Sequence, residues 1–154
     1  MKKRIGVVVL VLLLLLLAGA GAGFYYYYSK YINIDAIYPG VTIQGMSVGG
    51  MTQEEAEAKV QEYVDQVSQE TVTLQVRKKE TAFPLSDIGL KCTNMDVVEK
   101  AYNLGKTGNV FKRVMEVREL EKKGTDFPLT FSVDKEETKK VVAKKAKKFL
   151  AKKK

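Results

Sequence analysis

Few residues of this 154-residue chain have the chemistry of a catalytic centre. The sequence contains no histidine, which removes the side chain that serves most often as a general base and as a metal ligand. Cys92 is the single cysteine, so no internal disulfide can form, and with no histidine to activate its thiol we interpret it as a packing residue. The sequence therefore predicts no catalytic, metal-binding or cofactor-binding residues, and we expect a protein that is not an enzyme.

The segment Gly105-Lys106-Thr107 resembles the end of a phosphate-binding loop, but the rest of that motif is missing. The motif needs a glycine five positions before its last glycine, where this chain has Lys100. It also connects a strand to a helix, whereas this segment lies between two predicted helices. We therefore interpret the segment as a turn.

The longest apolar stretch, from Ile5 to Tyr28, determines where the chain is located. At about 1.5 Å per helical residue it spans roughly 36 Å, enough to cross a bilayer core of about 30 Å. Residues 1–4 form a basic flank that favours the cytoplasm, and the tyrosines at the other end suit the headgroup level. The sequence therefore predicts a single-pass membrane protein, with residues 5–28 as the transmembrane anchor and the domain outside.

A cleavable secretory signal is the alternative interpretation of the same stretch. The apolar run from Ile5 to Leu17 has the length of a signal-peptide core, and the small residues Ala18, Ala20 and Ala22 follow it. Cleavage would release the protein as a secreted one, whereas an uncleaved helix keeps it on the membrane. In both cases the rest of the chain is exported and is long enough for one domain.

The net charge of +8 is concentrated at the two ends of the chain. Residues 134–154 contain ten lysines against three acidic residues, whereas residues 29–133 contain thirteen basic and fifteen acidic residues. A nearly neutral middle does not provide the basic surface of a nucleic-acid-binding domain. We therefore expect no nucleic-acid partner.

Turn residues and hydrophobic periodicity predict alternating strands and helices after the anchor. A short juxtamembrane connector covers residues 29–38 and ends at Pro39-Gly40, and a strand follows at residues 41–44. Thr52 and Glu55 form a capping-box pattern, which predicts the start of an amphipathic helix of about 17 residues.

The second half of the chain continues this alternation. We expect the first amphipathic helix to cover the apolar face of a hairpin formed by residues 71–77 and 81–85. The remaining predicted elements are a helix over 95–104 capped by Asn94, a helix over 110–123 capped by Asn109, a strand over 126–133 and a lysine-rich helix capped by Asp134. This order predicts an α+β domain over residues 39–150, with a small, mostly antiparallel sheet packed with helices, and a basic tail over residues 151–154.

Four segments of the exported part carry a family resemblance: Tyr38–Thr52 with the following Glu55-Ala56, Leu85–Gly89, Asp96–Gly105, and Gly108-Asn109 with Lys112-Arg113. In this order they resemble the peptidoglycan-binding domain found N-terminal to L,D-transpeptidase or VanW-like domains in exported proteins of Gram-positive bacteria. The resemblance implies an α+β module of the cell wall that is often tethered by one N-terminal helix. It also implies peptidoglycan as the partner.

The chain departs from such relatives because it lacks the histidine and the Ser-x-Gly-Cys segment of the L,D-transpeptidase domain. We therefore expect a non-enzymatic, membrane-anchored, extracytoplasmic module that binds peptidoglycan or positions cell-wall machinery. Two alternatives stay open: a scaffold domain of the cell envelope that recruits a cell-wall enzyme, or the truncated N-terminal part of an L,D-transpeptidase or VanW-like protein.

If the domain contacts peptidoglycan, the turn between the two middle helices offers suitable side chains. Tyr102 could stack, Asn109 could form amide hydrogen bonds, and Lys106 and Arg113 could bind the carboxylates of stem peptides. The alternative interpretation of these four residues is that they are caps and parts of a solvated helix face.

Overall fold

The computed structural model describes residues 2–76 and 78–151; the side chains of residues 2–4, 76, 149 and 150 are outside that description. Apart from Ala151, the predicted basic tail also lies outside the described residues. The chain starts with helix α1 (Lys2–Tyr27), which continues into a π-helical turn (Tyr28–Ile32). The stretch Ile5–Ile32 is long and apolar enough to cross a membrane, a property that signal sequences share.

The first strands form a small sheet with a strand from much later in the chain. Strands β1 (Val41–Ile43) and β2 (Met46–Ser47) form an antiparallel hairpin, whose turn has φ angles of 51° at Gln44 and 74° at Gly45. On its other side β1 pairs in parallel with β6 (Thr125–Phe127). The predicted strand at residues 41–44 is confirmed, and β1 joins the two halves of the domain.

Helix α2 (Gln53–Gln69) starts with the predicted capping box. The Glu55 amide donates to the Thr52 hydroxyl at 3.3 Å, and the Thr52 amide donates to the Glu55 carboxylate at 3.0 Å. Ala56 and Val60 are buried on its inner face. The helix and its length of 17 residues are confirmed.

Strands β3 (Thr71–Val76) and β4 (Lys79–Pro84) form the predicted antiparallel hairpin. The expectation that α2 covers its apolar face was wrong in extent, because α2 packs against α3 and the 3₁₀ turn Leu85–Ile88 instead. Val72 consequently stays 39% exposed, whereas its cross-strand partner Phe83 is buried.

The single strand predicted over residues 126–133 is two strands that belong to different sheets. β6 pairs with β1, and β7 (Phe131–Ser132) pairs antiparallel with β5 (Lys91–Cys92). Pro128 has no amide hydrogen for a ladder, so the strand is interrupted there. Two side-chain amides bind the connection instead: Gln44 accepts from the Leu129 amide at 2.8 Å, and Asn94 accepts from the Thr130 amide at 2.7 Å.

Asn94 was therefore assigned the wrong partner from sequence. Its side-chain nitrogen donates to the Pro128 carbonyl at 2.9 Å, and helix α3 begins later, at Val97, and ends at Asn103. The other predicted caps are confirmed. Asn109 caps α4 (Val110–Lys123), and Asp134 accepts from the amides of the first turn of α5 (Lys135–Ala151).

The α+β fold class is confirmed: within the described residues, small and mostly antiparallel sheets are packed with helices. One hydrophobic core joins residues from both halves of the chain. Its buried members are Ile32, Ile37, Tyr38, Val41, Ile43, Val48, Ala56, Val60, Val97, Val98, Ala101, Val117, Leu120 and Leu129. Cys92 is half-buried and packs against this core.

Candidate functional site

The segment predicted as a connector packs into the core of the domain. Ile32, Ile37 and Tyr38 are fully buried, although a solvated linker would leave them exposed. The Ile37 amide donates to the Met51 carbonyl at 2.8 Å, and the Ile37 carbonyl accepts from the Gly50 amide at 2.8 Å. The backbone between α1 and β1 is thus held by the loop that follows β2.

Arg113 connects helix α4 to the end of the apolar helix. Its Nη1 donates to the Tyr28 hydroxyl at 2.7 Å, and its Nη2 donates to the Ile32 carbonyl at 3.0 Å. The Tyr38 hydroxyl donates to the same carbonyl. Carbonyls at the end of a helix lack an intrahelical donor and carry a partial negative charge, which a cation stabilises. Arg113 and Tyr38 supply the missing hydrogen bonds at the end of the π-helical turn.

Tyr102 contacts the same segment at Asp35, three residues after Ile32, and Lys106 packs on the ring of Tyr102. The Tyr102 hydroxyl donates to the Asp35 carboxylate, and the Lys106 ammonium lies 3.2 Å from the centroid of the Tyr102 ring. A cation over an aromatic face is attracted by the electrons of the ring. Tyr102 therefore uses its edge and its face for contacts within the molecule.

The ionisation of this group follows from its surroundings. Burial lowers the pKa of Lys106, with the positive charge of Arg113 acting in the same direction and the Asp35 carboxylate opposing them. The hydrogen bond to Asp35 raises the pKa of Tyr102. Among the described side chains, Lys106 Nζ and Arg113 Nε are buried without a hydrogen-bond partner. The aromatic face of Tyr102 is what partly compensates the desolvated ammonium of Lys106.

We call this arrangement the clamp and define it by Tyr28, Ile32, Asp35, Tyr38, Tyr102, Lys106 and Arg113. It brings together three of the four side chains predicted to contact a ligand, namely Tyr102, Lys106 and Arg113. The fourth, Asn109, is separate and exposed, and its side chain caps α4 by accepting from the Lys112 amide at 2.9 Å. Ligand contact by these four residues stays a prediction.

Gly105 lies in the turn between α3 and α4, next to the Tyr38 ring of the clamp. Its φ of 75° is one that residues with a Cβ rarely adopt, and an added Cβ would lie 3.0 Å from the Tyr38 ring. The segment from Gly105 to Thr107 lies in the loop that connects α3 and α4. The interpretation of this segment as a turn is confirmed.

Sequence reasoning missed the partners of the clamp, which lie between Tyr28 and Tyr38. One signal could have found them: Ile32, Ile34 and Ile37 recur at short intervals in a segment that was interpreted as a linker. Buried isoleucines are common and solvated ones in a linker are not. An apolar segment of this kind indicates packing.

An open groove of about 520 Å³ runs beside the α3–α4 turn. Its lining has three carboxylates, one ammonium group, one side-chain amide and one hydroxyl, and consists of Asp96, Glu99, Lys100, Asn103, Leu104, Gly105, Thr107 and Glu116. Lys100 and Asp96 form an ion pair at 2.7 Å, which lowers the pKa of Asp96. The groove offers hydrogen-bond donors and acceptors around one apolar side chain, as suits a polar peptide or a sugar.

A second open groove, of about 470 Å³, lies between α5 and the 3₁₀ turn. It is lined by Asp87, Val141, Lys144, Lys145 and Lys148, so it is basic. This groove contains part of the lysine-rich end of the chain. Its exposed ammonium groups would attract polyanions in a salt-dependent way.

No curated protein and no solved structure matches this chain. A family model does: it covers residues 81–154, slightly less than half of the chain, from strand β4 to the lysine-rich end. The matched segment contains the α3–α4 turn, both grooves, and three residues of the clamp, Tyr102, Lys106 and Arg113. The family is described as "Putative peptidoglycan binding domain", so residues 81–154 are similar to a non-catalytic module that binds the cell wall.

Proposed function

We propose that this protein is a membrane-anchored, extracytoplasmic module that binds peptidoglycan and holds cell-wall machinery close to the membrane. The observation that carries the proposal is the match of residues 81–154 to a peptidoglycan-binding family. The Gram-positive envelope, the association with L,D-transpeptidase or VanW-like domains and an enzyme partner stay predictions from sequence.

The N-terminal helix supports the membrane location. Its stretch Ile5–Ile32 has the length and hydropathy to span a bilayer, and none of its most apolar window is buried against the domain. Basic residues at positions 2–4 favour a cytoplasmic N-terminus, which places the domain outside. The clamp is compatible with a cleaved and an uncleaved helix, because Tyr28 and Ile32, which Arg113 binds, both lie after the small residues Ala18, Ala20 and Ala22 of the signal-peptide alternative.

We place the contact with peptidoglycan at the groove beside the α3–α4 turn. The turn is where the sequence predicted ligand contact, and three of the predicted side chains are occupied by the clamp. The groove next to them exposes polar side chains, including those of Asn103 and Thr107. Stem peptides and glycans are rich in hydroxyl, amide and charged groups that such side chains can bind.

Binding of the full-length chain to purified sacculi, in mild detergent, tests the proposal. We expect the chain to sediment with sacculi at moderate salt, and the double variant Asn103→Ala, Thr107→Ala to bind several-fold less. The matched control is Thr73→Ala, an exposed threonine on the β3–β4 hairpin outside the matched segment. Asn109→Ala tests the remaining exposed residue of the predicted site.

Three outcomes would contradict the proposal. Sedimentation equal to that of an unrelated basic membrane protein would remove the peptidoglycan partner. Binding abolished by moderate salt would assign the interaction to unspecific attraction by the lysine-rich end. Crosslinking in intact cells that recovers a partner protein without muropeptides would favour the scaffold function instead.

A further inference from the structure

Three apolar side chains in the first two turns of α4 are exposed. Val110 is 42% exposed, Phe111 76% and Met115 55%. The buried face of this helix is formed by other residues, Val117 and Leu120, so these three side chains are not part of the core. An exposed cluster of this kind, unlike a single exposed apolar side chain, indicates an interaction surface.

Arg113 gives the position of the first turn of α4 relative to the apolar helix. Phe111 and Met115, two residues before and two after Arg113, project from the opposite side of α4 and face away from the apolar helix. Arg113 donates to the Tyr28 hydroxyl at 2.7 Å and to the Ile32 carbonyl at 3.0 Å. Side chains on a helix lean toward its N-terminus, which for α1 is the membrane side. The Tyr28 hydroxyl therefore lies toward the membrane, and the start of α4 lies beside it.

The chemistry of this side of α4 suits a lipid interface. Phe111 and Met115 are followed on the same stripe of the helix by Arg118 and Lys122, at i+7 and i+11 from Phe111, and all four are exposed. Apolar side chains next to basic ones bind the boundary between acyl chains and anionic headgroups. The tyrosines at the end of the apolar helix prefer that same depth.

We propose that the start of α4 dips into the lipid interface through Val110, Phe111 and Met115. These residues form a second membrane contact beside the transmembrane helix. The proposal rests on the membrane anchorage proposed above. Together with the clamp, this contact holds the α3–α4 turn at a fixed distance from the lipid surface.

The variant Phe111→Trp provides the test, because the sequence contains no tryptophan and the new side chain is a unique fluorescent probe. The full chain is reconstituted into vesicles of phosphatidylcholine and phosphatidylglycerol, with or without lipids brominated at shallow acyl positions. We expect a blue-shifted emission, and quenching by brominated lipid about twofold stronger than for a solvent-exposed tryptophan. The matched control is Val72→Trp, whose side chain is 39% exposed on the β3–β4 hairpin.

The outcomes separate this inference from the anchorage on which it rests. A chain that floats with the vesicles, but whose tryptophan at position 111 is quenched no more by brominated lipid than that at position 72, overturns the lipid contact alone. A blue shift without lipid quenching assigns the patch to a second copy of the chain and also overturns it. A chain that does not float overturns both the anchorage and the lipid contact.

Discussion

Replacing Ile32 with alanine tests whether the segment of residues 29–38 belongs to the folded core. The Ile32 side chain is completely buried, and its carbonyl, which alanine keeps, accepts hydrogen bonds from Arg113 and Tyr38. The variant therefore removes packing alone. Truncation of a buried isoleucine to alanine lowers the free energy of unfolding by about 2–5 kcal/mol, whereas a change in a solvated linker alters it by less than about 0.5 kcal/mol.

Thermal unfolding of the full chain in mild detergent gives the measurement. Near-ultraviolet circular dichroism reports on buried tyrosines such as Tyr38, since tryptophan is absent. For a domain of this size each 1 kcal/mol shifts the Tm by roughly 3–5 °C, so a loss of about 3 kcal/mol lowers it by about 10 °C. Ile34→Ala, at a half-buried position, should lower the Tm less, and Ser29→Ala, at an exposed one, should leave it unchanged.

Val98→Ala serves as the positive control, because Val98 is equally buried and lies within the matched segment. If Val98→Ala lowers the Tm while Ile32→Ala leaves it within about 2 °C of the wild type, the segment is not part of the core. That result would also remove the structural basis for a rigid connection between the N-terminal helix and the domain.

Three further predictions concern the clamp and its turn. Arg113→Ala removes the hydrogen bonds to the Tyr28 hydroxyl and the Ile32 carbonyl, so we expect the free energy of unfolding to fall by about 1–3 kcal/mol in the same melt. Arg113→Lys should restore it only in part, because lysine lacks the planar guanidinium fork. A wild-type Tm for the alanine variant would contradict this. Gly105→Ala must place a Cβ at a φ of 75° and against a tyrosine ring, so we expect a loss of about 2–4 kcal/mol by urea unfolding, and no loss would refute the strain argument. The pKa of Lys106 is lowered in the folded chain, so between that pKa and 10.5 the unfolded chain binds more protons and the free energy of unfolding rises with pH. Lys106→Met should therefore reduce the slope of Tm against pH in this window. The raised pKa of Tyr102 acts in the opposite direction above pH 10.0.

The features predicted correctly from sequence are those decided within one or two helical turns. The capping box of Thr52 and Glu55 needs only residues three apart, and Asn109 caps α4 through the amide of Lys112, three residues away. Asp134 caps α5 in the same way, through amides two and three residues away. In each of these local patterns, the two groups that interact lie within a few residues of each other in the sequence.

The errors arose where the partner is distant in sequence. Asn94 has the sequence position of a helix cap, but its amide group binds Pro128 and Thr130, more than thirty residues away. Those hydrogen bonds exist because β6 and β7 join different sheets. No local pattern distinguishes a cap from an amide that binds a strand connection.

The candidate site shows the same limit. The sequence indicated Tyr102, Lys106 and Arg113 as candidate ligand contacts at the turn between the two middle helices, and the structure brings these three side chains together. Their partners could not be predicted, because the Tyr102 hydroxyl binds Asp35 across 67 residues and Arg113 binds Tyr28 across 85. From sequence, a cluster of basic and aromatic residues indicates a ligand-binding surface. Only the folded structure shows that residues 28–38 of the same chain bind to this cluster.

The family match covers only part of the folded domain. Residues 81–154 contain β6 but not its partner strand β1, and the matched segment lacks eight of the buried core residues, from Ile32 to Val60. A fragment restricted to the match would expose that core surface and leave β6 without its strand partner β1, so the folded unit must extend upstream. Because Ile32 ends the π-helical turn that continues α1, the proposed wall-binding unit and the proposed anchor share one core. A ligand bound at the α3–α4 turn would then be held at the membrane surface, without a flexible linker in between.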